Sequence, residues 1–273
     1  MIDLTINTDV VRKKLTDFIR DELNRAGFTR VVVGLSGGID SALSCFLAVE
    51  ALGPENVLAV RMPYKTSSPD SLEDAQRVLE ATAVQSKTMP ISSMVDAFID
   101  LNPEINDIRR GNIMARMRMI MLFDHSAAFN GLVLGTGNKT EILLGYTTLY
   151  GDSACALNPI GDLYKAQVSQ LARAVGVPTE IIHKSPSADL WAGQTDEGEL
   201  GFTYAQVDRL LYLLVDERFN PEQCVEAGFD EAFVKAVITR VSRNHFKRVM
   251  PPIARLGNVA AETDFHFSPD RRI

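Results

Sequence analysis

Apolar positions between residues 8 and 26 recur at helical spacing: Val10, Val11, Leu15, Phe18, Ile19 and Leu23, with Arg, Lys and Asp between them. That pattern predicts an amphipathic helix, ended by Gly27. Residues 29–36 then read Thr-Arg-Val-Val-Val-Gly-Leu-Ser, and three adjacent valines predict a strand covered on both faces. Gly37 and Gly38 break it, and helical periodicity resumes over Asp40–Glu50. The unit repeats in outline. Strands are predicted at 56–61, 84–89 and 131–135. Helices are predicted at 71–83 (capped by Asp70), 105–129, 163–175, 204–216 and 230–244. Alternating strands and helices imply a mostly parallel sheet with helices on both faces.

Composition changes this picture little. The chain has 273 residues, 46% hydrophobic and 23% charged, which is ordinary for a globular protein. No Pro/Ser-rich linker divides it, so residues 1–273 are expected to form a single domain with a small helical C-terminal portion from about 203. Lys and Arg number 28 against 35 Asp and Glu, a net charge of −7. Such a balance disfavours a non-specific nucleic-acid binder. The first ten residues do not resemble a secretory signal, and no apolar run approaches the roughly 20 residues of a membrane span. Cys45, Cys155 and Cys224 lie far apart and form no metal-thiolate or disulfide pattern. A cytoplasmic protein, bound to neither nucleic acid nor membrane, is the expectation.

The candidate chemistry starts at Ser36-Gly-Gly-Ile-Asp-Ser41. The segment follows a buried strand and opens a helix. Gly37 and Gly38 permit a tight turn and close backbone approach, the amides of Ile39 and its neighbours point at an anion, and the Ser36 and Ser41 hydroxyls can donate. Asp40 stands where a carboxylate could hold magnesium against phosphates. The same letters also suit a plain glycine turn that caps a helix. GxxxxGK[ST] and GxGxxG spacings are both absent.

Ser-Gly-Gly-x-Asp-Ser after a hydrophobic strand resembles the pyrophosphate loop of the N-type ATP pyrophosphatases. Further segments narrow the resemblance: Arg116-Met-Arg118, Gly135-Thr-Gly-Asn-Lys-Thr-Glu141, Gly145-Tyr-Thr-Thr-Leu-Tyr-Gly-Asp152, Asn158-Pro-Ile-Gly-Asp-Leu-Tyr-Lys165, Pro186-Ser-Ala-Asp-Leu-Trp191, Gly193-Gln-Thr-Asp-Glu197, Glu199-Leu-Gly201 and His245-Phe-Lys-Arg248. In that order and spacing, over roughly residues 10 to 250, they are similar to the ammonia-using NAD synthetases. One departure is Ile39, where many relatives carry Gln; a backbone cradle does not need that side chain.

The resemblance implies a Rossmann-like, adenine nucleotide α-hydrolase-like fold. It also implies a reaction in which ATP, nicotinic acid adenine dinucleotide and ammonia give NAD, AMP and pyrophosphate. It assigns Ser36, Gly37, Gly38, Ile39, Asp40, Ser41, Arg116, Thr136, Lys165 and Ser187 to ATP, the last near the leaving pyrophosphate. Mg²⁺ goes to Asp40 and Glu141, which open two helices just past buried strands and so fall at one carboxyl edge of a parallel sheet. Tyr146, Tyr150, Glu199, His245 and Lys247 go to the dinucleotide. Asp152 is the candidate that attracts ammonium and takes its proton; with Lys165 and Ser187 it makes up the expected catalytic set. A homodimer is implied, with the Met-rich stretch 114–121 in the interface or in the core of one copy.

Residues 185–201 mix Ser, Gly, Gln, Thr and acidic side chains and predict a mobile lid, useful because an acyl-adenylate hydrolyses readily. Cys45 reads as core. Three other functions share part of this pattern. An RNA thiolase with the same loop would want a basic tract and catalytic cysteines. A non-catalytic nucleotide-binding module would not need Asp40, Glu141, Asp152 and Lys165 together. A glutamine-dependent synthetase would need a long amidase segment.

Overall fold

The computed structural model describes residues 2–187, 189–191, 194–254 and 256. Ala188 and Gly193 of the quoted motifs lie outside the described residues. Four parallel strands, β1 (Val31–Gly34), β2 (Val57–Arg61), β3 (Gln85–Thr88) and β4 (Leu132–Leu134), pair in the order β3-β2-β1-β4. Val31 aligns with Val57 on one side and Leu132 on the other. The chain builds outward from β1 to β3, then returns to lay β4 on the opposite side of β1. That reversal opens a crevice at the carboxyl ends of β1 and β4, where open α/β sheets take ligands.

Alternation along β1 divides its valines between two layers. Val31 and Val33 join a core with helices α1 (Thr8–Ala26), α2 (Ile39–Leu52), α3 (Pro69–Thr82) and α7 (Lys165–Val175). Val32 faces α4 (Ser92–Asp100) and α5 (Asp107–Phe129), through Val95 and Met114. Met114 is fully buried there, so the Met-rich stretch contributes to the core of one copy, while Ile120 and Phe123 on the same helix are exposed.

A third cluster unites α6 (Lys139–Leu144) with α10 (Tyr204–Leu211), α11 (Pro221–Glu226) and α12 (Glu231–Arg243), through Leu144, Val207, Leu210, Leu211, Val234 and Val237. The C-terminal helices therefore pack on the element that carries Glu141. Two short helices, α8 (Thr179–His183) and α9 (Asp196–Leu200), flank the 185–195 segment.

The long elements follow the periodicity. Gly27 ends α1 in the left-handed conformation, φ 76°, as a glycine can without steric cost. Asp70 does not cap α3. Ser68 occupies that position and Pro69 opens the helix, leaving Asp70 in the first turn. Proline's fixed φ and missing donor suit that first position, and a first-turn carboxylate still faces the positive end of the dipole. The predicted helix over 204–216 is α-helical only to Leu211 and continues as one π-turn, Tyr212–Asp216.

Candidate functional site

The phosphate-type loop is held open by its own serines. Ser41 Oγ donates to the Gly38 carbonyl at 2.9 Å and accepts from the Ser36 amide at 3.2 Å, and Ser36 Oγ accepts from the Gly38 amide at 3.2 Å. Gly37 has φ 85°, and a β-carbon there would meet the Ser71 carbonyl oxygen at 2.2 Å. The glycine is thus required twice, by conformation and by packing against α3.

Three helix N-termini converge beside this loop: α2 brings Asp40, α6 brings Glu141, and α7 brings Lys165. The Lys165 Nζ donates to Asp40 Oδ2 at 2.5 Å and reaches Glu141 Oε1 at 3.5 Å. Asn138 links the same carboxylates. Its Nδ2 donates to Asp40 Oδ1 at 2.9 Å, its amide to Glu141 Oε2 at 3.2 Å, and its Oδ1 accepts from the Glu141 amide at 3.0 Å. Asn138 and Glu141 form a capping box at the start of α6.

Two carboxylates sharing one ammonium leave an excess of buried negative charge. Burial and the neighbouring Asp40 push Glu141 up to about 8, against the pull of Lys165. Burial works against the charge of Lys165, but Asp40 and Glu141 outweigh it and raise its pKa. A third acid, Asp196 of α9, is raised by burial and opposed by Lys165. The centre is therefore built for more positive charge than Lys165 alone supplies. Asp40 and Glu141 suit Mg²⁺, which takes one or two protein carboxylates and completes its shell with water and substrate phosphates.

Of the 185–201 segment, Asp196 reaches this centre. Asp196 accepts from Tyr146 Oη at 3.2 Å and Tyr204 Oη at 3.1 Å, and Lys165 Nζ stands 5.1 Å from the Tyr204 ring centre. Tyr146 also donates to Glu199 at 3.0 Å, and Gln194 Nε2 donates to the other Glu199 oxygen at 2.7 Å. Ser187 Oγ donates to the Gln194 carbonyl at 2.7 Å and accepts from the Asp189 amide. Asp189 accepts from the Ser68 amide at 3.0 Å, which fastens the segment to the start of α3. Asp189 and Asp152 both favour the charge of Arg118, against the burial of that guanidinium.

Asp152 closes the turn after α6, accepting from the Thr148 amide at 2.6 Å. Asp152 is exposed; desolvation by the neighbouring protein raises its pKa, opposed by the Thr148 amide and by Lys247. Arg116 donates to the Leu149 carbonyl through Nε and Nη2 at 3.3 and 3.2 Å. Lys247 Nζ donates to the Gly145 and Thr147 carbonyls, each at 2.7 Å. Both cations thus tie down the 145–152 turn in this structure. Tyr150 is exposed at its tip with φ 58°, His245 is exposed, and Thr136 is half-buried after β4. Asp40, Glu141 and Lys165 are thus brought into contact, as are Tyr146 and Glu199. Among the described residues, Tyr150 and His245 join neither group.

The chain matches the NAD synthase family over residues 11–251. It is 57% identical to the NH3-dependent NAD+ synthetase of Trichlorobacter lovleyi, over 99% of each chain. It is 51% identical to that of Chlorobaculum parvum, over 98% of this chain and 97% of the relative. This chain belongs to the NAD synthase family. Among solved family structures, NMN synthetase from Francisella tularensis superposes with a TM-score of 0.82 at 30% identity, over 92% of this chain and all of that one. NH3-dependent NAD synthetase from Campylobacter jejuni gives 0.79 at 36% identity over the same shares. The Rossmann-like parallel sheet flanked by helices is the NAD synthase fold.

Three residues at or beside this NAD synthase site have no role assigned by the sequence: Asn138 and Asp196, which lie within quoted segments, and Asp208, which lies in none. For Asn138 the signal was present as Asn-x-x-Glu, the signature of a capping box. For Asp208 there was none, since its partners are brought to it only by tertiary packing.

Proposed function

We propose that this chain is an ammonia-dependent NAD synthetase. It amidates nicotinic acid adenine dinucleotide at the expense of ATP, giving NAD, AMP and pyrophosphate through an acyl-adenylate. The observation that carries the reading is the convergence of Asp40, Glu141 and Lys165 beside the Ser36–Ser41 loop, in a chain that matches the T. lovleyi enzyme end to end.

A carboxylate cannot be attacked by ammonia while its leaving group is oxide. One carboxylate oxygen attacks the α-phosphorus of ATP, the bond from that phosphorus to the bridging oxygen breaks, and pyrophosphate departs. The loop amides and serine hydroxyls bind phosphate oxygens, and Lys165 neutralises charge that builds as pyrophosphate leaves. Asp40 and Glu141 would hold magnesium, which would supply further charge compensation on the phosphates. Arg116, Thr136 and Ser187 belong to the same ATP side. Arg116 and Ser187 exchange their present backbone partners for phosphate oxygens when the nucleotide arrives.

Ammonia then attacks the acyl carbon. The carbon–oxygen bond to AMP breaks, and AMP leaves with one of the original carboxylate oxygens. Asp152 attracts ammonium and accepts its proton, so that the lone pair is free. Its raised pKa suits that exchange better than an ordinary carboxylate would. Tyr146, Tyr150, Glu199, His245 and Lys247 bound the dinucleotide, and residues 185–201 exclude water from the adenylate. Two copies associate through α5, whose Ile120 and Phe123 are exposed. The protein acts in the cytoplasm; no helix of the described residues is long and apolar enough to cross a membrane.

The test is a product analysis of the purified chain with ATP, Mg²⁺ and ammonium, offered the dinucleotide or the corresponding acid mononucleotide. NAD, AMP and pyrophosphate in equal amounts, with preference for the dinucleotide, is the expected result. Preference for the mononucleotide would place the chain beside the F. tularensis protein named NMN synthetase. ADP as product would overturn the reaction altogether.

A further inference from the structure

Helix α7 begins without a hydrogen bond from the side chain of its own preceding residue to the free amides of its first turn. The Gln167 amide turns to the Tyr164 carbonyl, but the amides of Lys165 and Ala166 need other acceptors, and theirs come from two other helices. The Lys165 amide donates to Thr140 Oγ1 of α6 at 3.1 Å, and the Ala166 amide to Asp208 Oδ2 of α10 at 2.8 Å. Thr140 in turn donates its hydroxyl to Asp208 Oδ1 at 2.6 Å. Asp208 and Thr140 are both wholly buried. One carboxylate of the C-terminal layer therefore joins the first turns of α6 and α7.

We infer that Asp208 is a positioning residue for the ATP site: through Thr140 and the Ala166 amide it sets the register in which Glu141 and Lys165 meet Asp40. This rests on the proposed function of that site. Thr140 is the residue before Glu141, and the Lys165 amide that it receives belongs to the lysine whose Nζ lies between Asp40 and Glu141. A small rotation of α7 would be carried to the end of a four-carbon side chain, and a displacement near 1 Å at a reacting centre can cost about a hundredfold in rate. A fully buried carboxylate is an expensive way merely to fill a core, because its desolvation must be offset by hydrogen bonds. Both oxygens of Asp208 are already engaged, so it acts through its partners and touches no substrate.

The test uses Asp208→Asn, Thr140→Val, Thr140→Ser and the double variant Asp208→Asn/Thr140→Val. An asparagine can still accept from Ala166, but its amide nitrogen cannot accept the Thr140 hydroxyl. Exchange of labelled pyrophosphate into ATP, Mg²⁺ dependence, KM for ammonia and thermal unfolding are measured on each. Asp208→Asn is expected to raise KM for Mg·ATP and the Mg²⁺ requirement, with adenylation slowed about 10- to 100-fold and KM for ammonia within twofold of wild type. Thr140→Val should behave alike, Thr140→Ser should restore wild-type constants, and the double variant should lose no more than the worse single one, as members of one chain do. Unchanged Mg·ATP and Mg²⁺ constants, or a fall in rate that only tracks the folded fraction, would overturn the inference. If Asp208→Asn does not fold, the Thr140 pair decides on the same readouts. A wild-type chain that catalyses no exchange would instead count against the proposed function.

Discussion

The Nζ of Lys165 stands 2.5 Å from Oδ2 of Asp40, across 125 residues of sequence. Both side chains open helices, and the sheet reversal between β1 and β4 brings those helix starts to one edge. Removing the lysine leaves Asp40 and Glu141 facing each other without a cation. Lys165→Met should destabilise the chain by about 3–5 kcal/mol, the usual cost of orphaning one side of a buried ion pair. Urea unfolding measures this. Added Mg²⁺ should recover part of the loss, and a variant as stable as wild type would mean the pair is not held this closely in solution.

Asp40→Asn and Glu141→Gln should each lower pyrophosphate exchange at least about a hundredfold while the fold persists. Circular dichroism and a Mg²⁺ titration of the rate separate folding from chemistry. Wild-type metal dependence in both folded variants would remove these residues from the metal site.

Gly37→Ala tests the loop backbone. Its β-carbon would meet the Ser71 carbonyl at 2.2 Å at φ 85°, whereas Gly176, with φ 86°, faces open space. Gly176→Ala should cost about 1 kcal/mol and leave KM for ATP unchanged. Gly37→Ala should raise that KM at least tenfold, because the loop must move off α3. Similar ATP affinities in the two variants would contradict the assigned role.

Asp208 gives a pH signature. Burial holds its carboxyl up to about 6, against an ordinary 3.8. A raised folded value means that the folded chain binds the proton more tightly. The resulting stabilisation is fully present below 3.8 and is lost as pH rises through about 6, on the order of 3 kcal/mol in all. Glu141, Asp152 and Asp196 are raised as well and contribute in the same sense. Asp208→Asn should therefore weaken, not abolish, the fall in unfolding free energy between pH 4 and 7. Identical slopes in variant and wild type would contradict the burial described.

Much of this site is legible in the sequence because its parts are local. Three valines before Gly37-Gly38 specify a covered strand meeting a helix N-terminus, and the same arrangement recurs before Glu141. Contacts made between distant elements are not legible. Nothing in Val-Asp-Arg marks Asp208 as the acceptor for α7, and nothing in His-Phe-Lys shows that Lys247 turns to the Gly145 and Thr147 carbonyls. Asp70 suits a cap by its type, yet Ser68 followed by Pro69 carries the stronger local signal. Short helices such as α8 and α11 contain too few turns to show a period and are stabilised by packing.

Asp152→Asn should separate the two half-reactions. Asparagine keeps the size and the hydrogen bond to Thr148 but neither attracts ammonium nor accepts its proton well. Pyrophosphate exchange should stay within a few-fold of wild type, while NAD formation falls about a hundredfold and its dependence on ammonia weakens. If both half-reactions fall together with thermal stability, Asp152 only supports its turn.

The central claim is that ATP activates the carboxylate by adenylation before ammonia arrives. Nicotinic acid adenine dinucleotide labelled with oxygen-18 in its carboxylate tests this most directly, with mass spectrometry of the products. One labelled oxygen should appear in the phosphate of AMP and the other should remain in the amide of NAD, with pyrophosphate unlabelled. Label in pyrophosphate or inorganic phosphate, with AMP unlabelled, would contradict it.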